Sequence, residues 1–98
     1  MRTVWKYTLT GPDITLRIPL WSFFLHGRIL PNGNAELWFD VNDDSEPIEQ
    51  RFLTFGTGRK IPRNAEHVCS LVELGDLVDY VWHIFQVEVT YDPSPNLD

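Results

Sequence analysis

Cysteine occurs once in the 98 residues, at Cys69. One thiol can neither close an intramolecular disulfide nor complete a cysteine-based zinc site within the chain. A reducing compartment is therefore the default. Long apolar runs are also missing. The longest, Ile18–Leu25, is far too short to span a bilayer and contains Pro19 and Ser22. Met1–Thr10 has no apolar signal core. Basic residues are few: eight Lys and Arg against fourteen Asp and Glu give a net charge of −6. That balance argues against non-specific binding to nucleic acid or to an anionic membrane, each of which needs a basic surface.

The motifs of several chemistries are missing too. There is no HExxH, no pair of histidines at ligand spacing and no Walker A loop. Asp43, Asp44 and Glu46 lack the spacing and the glycine of an EF-hand loop, so they read as a solvated acidic loop. No GxSxG elbow surrounds Ser22, Ser45, Ser70 or Ser94. The expectation is no catalytic residues, no metal and no cofactor.

What the chain has in quantity is aromatic side chains: four Trp, six Phe and three Tyr. Each can bury roughly 150–250 Å², so even a small core could suffice. Hydrophobic content of 43% marks a folded chain, and the length allows one domain. Residues 1–90 are expected to form it, with a flexible tail over 91–98.

The pattern predicts an all-β fold. Leu77–Val89 is apolar on both alternating faces and reads as a central strand covered on both sides. Thr3–Leu9 and Ile14–Ile18 read as the first two strands, and Trp21–Leu30 as the third. Strict alternation on the third puts Phe23, Leu25 and Ile29 on one face and Phe24, His26 and Arg28 on the other. Pro31–Asn34 is a turn, and Ala35–Val41 follows with Ala35, Leu37, Phe39 and Val41 inward and Glu36, Trp38 and Asp40 outward. Ile48–Phe55 and His67–Leu74 complete the set. Leu74-Gly75-Asp76-Leu77 fits a two-residue type II′ turn, which would pair Leu74 with Leu77, Val72 with Asp79 and Cys69 with Trp82. About seven mostly antiparallel strands suggest a small sandwich or barrel.

Ordered along the chain are Trp5-Lys6-Tyr7, Leu37-Trp38, Phe55-Gly56-Thr57-Gly58, Ile61-Pro62 and Trp82-His83-Ile84-Phe85. In this order they resemble a family of short uncharacterised bacteriophage proteins carrying WKY, LW, FGTG, IP and WH(V/I)F. The chain departs from it in the longer acidic loop around Asp43–Glu46 and after Val87. The resemblance implies a phage origin and the cytoplasm of a bacterial host. It brings no activity and no catalytic residues.

Two surfaces stand out. Phe55–Arg63 concentrates Arg59, Lys60 and Arg63 behind Gly56, Thr57 and Gly58, where glycines let backbone N–H groups approach a phosphate and the cations supply charge. An ordinary turn with solvated cations is the simpler reading of the same residues. Trp38, outward between Glu36 and Asp40, with Phe24, His26 and Arg28 on the adjacent strand, suggests a contact face and a homo-oligomer. His83 reads as a core histidine. The function expected is a non-enzymatic binding protein, which the phage resemblance extends to blocking or sequestering a host component such as one of antiviral defence. The alternative is a sink for a nucleotide-like small molecule, its phosphate on Gly56–Arg63 and its base on Trp38 or Trp82. A third is an enzyme acting on such a ligand, with His83 or His26 as base.

Overall fold

The cleanest alternation in the chain builds the middle of a sheet. A computed structural model describes residues 1–89. Seven strands follow in order: β1 Arg2–Leu9, β2 Asp13–Pro19, β3 Phe23–Ile29, β4 Ala35–Asn42, β5 Pro47–Gly56, β6 Glu66–Glu73 and β7 Tyr80–Glu88. β4 lies between β1 and β3; the second sheet runs β2-β5-β7-β6, and every pairing is antiparallel. The described residues contain no helix, and so none long and apolar enough to cross a membrane. The predicted tail, residues 91–98, lies outside the described residues.

Alternation turns Ala35, Leu37, Phe39 and Val41 of β4 onto Phe52 of β5, Ile84 of β7, Cys69 of β6 and Ile18 of β2. Leu37, Val41, Phe52 and Ile84 are fully buried. Each such side chain contributes roughly 1.5–3 kcal/mol of transfer free energy. The sheets close tightly where β3 crosses β6. A Cβ at Gly27 would stand 3.0 Å from Leu37 Cδ2 and 3.2 Å from Leu71 Cδ2. A side chain there would hold the layers apart.

Several expectations are corrected. Phe24 faces inward, edge-on to Phe39 with centroids 5.8 Å apart. A bulge between Phe24 and His26 reverses the alternation, so Phe24, Gly27 and Ile29 share the inner face while His26 and Arg28 stay outside. The β6–β7 connection is not a two-residue turn. Val72 pairs with Val81 and Cys69 with Ile84, leaving Leu74–Asp79 as the loop. A type II′ turn needs a positive φ at Gly75, whereas only Gly33 and Gly58 among the described glycines have one. Instead, the Gly75 N–H donates to Asp79 Oδ1 at 3.3 Å. The register moves by two residues, so the faces of β7 remain as expected. Finally, the apolar stretch predicted from Leu77 enters the sheet only at Tyr80, and Leu77 is 97% exposed.

Trp21 also leaves the strand predicted for it. Its φ is +66°, the left-handed region that a bulky residue occupies at a cost of roughly 1–3 kcal/mol. Two bonds hold the corner: the Leu20 N–H donates to the Glu46 carbonyl at 2.9 Å, and Ser22 Oγ donates to the Pro19 carbonyl at 2.6 Å.

Candidate ligand-binding site

β5 and β7 run antiparallel, and their register sets Gly56 directly opposite Trp82. Trp82 is an even-numbered residue of β7, so it points to the inner side of the sheet, as Ile84 does. It stands at the end of the sandwich where the chain turns between β1 and β2 and between β3 and β4. Its ring lies over the Gly56 backbone, with Cζ3 3.6 Å from where a Cβ would be. Nε1 donates to Glu73 Oε1 at 3.0 Å, which fixes the indole. Tyr80 stacks beside it at 6.4 Å and 23°.

Trp82 lines two adjoining clefts. One, of about 700 Å³, is bounded by Phe55, Gly56, Gly58, Arg59 and Lys60. The other, of about 470 Å³, reaches between the sheets past Leu9, Ile29 and Ala35, with Asn32, Asn34 and Glu73 at its rim. Thr54 belongs to both. An aromatic face, two cations and a few polar groups thus converge on one end of the molecule.

Four of the six residues predicted for ligand binding line the first cleft: Gly56, Gly58, Arg59 and Lys60. Thr57 does not. Its Oγ1 lies 2.9 Å from His83 Nε2 on the other side of the sheet. Arg63, farther along the loop and exposed, is not among the lining residues. Gly58 has a φ of +92°, which glycine tolerates and which turns the loop outward. The Arg59 N–H donates to the Gly56 carbonyl at 3.2 Å. That amide is spent within the loop, so the positive charge at the cleft comes from the Arg59 and Lys60 side chains.

The predicted contact face is brought together in part. Trp38 stands across from Lys6 on one side and His26 on the other. Its centroid lies 5.5 Å from that of His26, and the Arg28 guanidinium carbon is 5.6 Å from the ring centre. Phe24, turned inward, is not part of it. Beside Trp38, Glu36 accepts from Lys6 at 2.9 Å and from Arg28 at 2.7 Å. These hydrogen bonds hold its carboxyl below the usual carboxylate range.

The structure also assembles a group that sequence spacing does not reveal. Ser70 Oγ lies 2.8 Å from His83 Nδ1 and 2.9 Å from His67 Nε2, and Thr57 completes the row at the far nitrogen of His83. One consistent arrangement has His67 donating to Ser70, Ser70 to His83, and His83 to Thr57. His83, read as a core histidine, instead lies half-buried on the outer face. The row can pass a proton along its length. None of its hydrogen bonds runs to a carboxylate, and no group of three or more potential metal ligands occurs among the described residues. Only the β6–β7 register brings Ser70 to His83, so no local motif announces it.

A family model described as a domain of unknown function, DUF7352, matches residues 1–94. The chain belongs to this family. No curated protein and no solved structure gives a match. The match takes in all seven strands, so the Trp82 clefts, the Trp38 face and the Ser70 row all lie inside the DUF7352 region.

Proposed function

We propose that the chain is a non-enzymatic binding protein whose ligand is an anionic, ring-bearing small molecule of nucleotide type. The observation that carries this reading is the pairing of Gly56 with Trp82, which sets an indole face beside Arg59 and Lys60. A ring stacked on Trp82 gains about 1–3 kcal/mol, as base–aromatic stacking does elsewhere. The two cations supply charge-assisted hydrogen bonds to phosphate oxygens. The resemblance to bacteriophage proteins supports a role as a sink that sequesters a host component in the infected bacterial cytoplasm. The Ser70 row offers no argument for turnover, because it lies on the opposite side of the sheet from the Trp82 ring.

The test is co-purification followed by titration. The protein should carry ultraviolet-absorbing material that is released chemically unchanged on denaturation. Stripped protein should show quenched Trp fluorescence with nucleoside di- or triphosphates. Arg59→Ala with Lys60→Ala should abolish the quench while the fold persists. A folded double variant that binds as the parent does ends the phosphate reading. Release of an altered product replaces the sink with an enzyme.

A second reading, self-association, is favoured by the half-buried Trp38 on the outer face of the first sheet. Light scattering should report more than one chain at micromolar concentration, and Trp38→Glu should move the protein toward monomer. A parent that is monomeric throughout removes it.

A further inference from the structure

The corner between β2 and β3, at the opposite end from Trp82, exposes aromatic surface. Trp21 is 74% and Phe23 64% exposed, with Leu20 and Leu25 beside them. Trp21 occupies a backbone conformation that glycine would take freely, and its side chain finds little burial among the described residues in return. Local preference and local packing both disfavour a tryptophan here. A contact outside the chain would give the indole the burial it lacks.

The surroundings identify the occupant. On one side of the corner, Trp21 and Phe23 line a cleft of about 300 Å³ with Asp40, Asn42 and Asp44. On the other, Leu20 borders a larger cleft of about 970 Å³ whose charged lining is Glu46, Glu49, Glu66 and Glu88 against Arg17. At the first cleft both carboxylates are already paired, Asp40 with Arg2 and Asp44 with the Met1 ammonium, so the acidic excess lies in the second. An aromatic corner that borders this carboxylate-rich cleft is complementary to a chain of Arg and Lys. Their aliphatic stems pack on indole and phenyl faces while their heads reach the carboxylates. Anionic membranes and nucleic acid are repelled by the same charges.

We infer that the Leu20–Phe23 corner is a docking surface for a basic polypeptide segment, with Trp21 as its anchor. This surface is independent of the Trp82 clefts, and a ligand there would leave it free. Charge complementarity brings the partner to this end, and burial of Trp21 holds it, the pattern of a central aromatic anchor within a polar rim.

A randomised displayed peptide library selected against the whole chain tests this. Recovered peptides should be rich in Arg and Lys, poor in Asp and Glu, and weakened by added salt. Trp21→Gly should bind them at least about tenfold less tightly. The same variant should melt no lower than the parent, because glycine relieves the backbone, so a loss of binding cannot be ascribed to misfolding. Selection of acidic or uncharged peptides, failure to enrich any sequence, or peptides indifferent to Trp21→Gly would overturn the proposal. Parent oligomers that Trp21→Gly converts to monomer in light scattering would assign the corner to a second copy of the chain instead.

Discussion

Arg28 Nε lies 2.7 Å from Glu36 Oε1 across the β3–β4 ladder, and Lys6 closes on the other carboxylate oxygen from β1. One carboxylate thereby ties all three strands of the first sheet together on its outer face. Its charge has a consequence for stability against acid. Hydrogen bonds from Lys6 and then Arg28 hold the Glu36 carboxyl below its ordinary value of 4.5. A depressed value in the folded state means that the stabilisation is present above 4.5 and is lost as pH falls through the folded value. Asp13, held by Arg51, and Asp40, held by Arg2, act in the same sense. We expect Tm to be level near neutrality and to fall once pH drops below about 4.5. Glu36→Gln should melt lower at pH 7 and lose less on acidification. An equally steep acid loss in that variant would show that the pair contributes nothing.

Phe52 is fully buried where the two sheets meet, edge-on to Phe39 at 6.0 Å. Phe52→Ala should cost about 3–5 kcal/mol in urea unfolding. A loss under about 1 kcal/mol would place the ring outside the core.

Gly27 tests the closeness of the layers. Gly27→Val should destabilise by about 1–3 kcal/mol, because the branched side chain meets Leu37 and Leu71. Gly33→Val makes the contrast: its added Cβ meets nothing within 4 Å, and only its φ of +89° opposes the change. Chemical denaturation of both variants separates the two costs. Equal losses with no change in core side-chain NMR signals would show that Gly27 does not space the sheets.

Cys69 is buried, and burial pushes its thiol up to about 11. The thiolate is the reactive form, so the folded protein should resist aromatic disulfide reagents at neutral pH and react fully in denaturant. Rapid labelling of the native state would contradict its position in the core.

Much of this arrangement was legible from the order of residues, and the failures share a cause. The faces of β4 follow from uninterrupted alternation, and those of β2 likewise. Strict alternation misplaces Phe24 because a bulge one residue later reverses parity, and nothing in Phe-Phe-Leu-His announces a bulge. Leu74–Leu77 has the composition of a tight turn, but an Asp79 carboxylate captures the Gly75 N–H and opens the loop. Of the basic segment, Arg59 and Lys60 reach the Trp82 cleft while Thr57 turns to His83. That division depends on which side of the sheet each residue meets, and only the long-range pairing of β5 with β7 decides it. Ser70 and His83 are thirteen residues apart and silent as a motif.

β7 is the last of the seven strands, yet it lies between β5 and β6, which run in the same direction on either side of it. During synthesis, β5 and β6 emerge first and have no partner for the edges they will later share. Their exposed N–H and C=O groups are available to another nascent chain until Tyr80–Glu88 arrives and slides between them. The second sheet therefore closes late, through contacts distant in sequence, which slows folding. A stop before Tyr80 would remove the middle of the sheet rather than its rim. It would leave two open edges facing each other across a gap, and a product destined for aggregation or degradation.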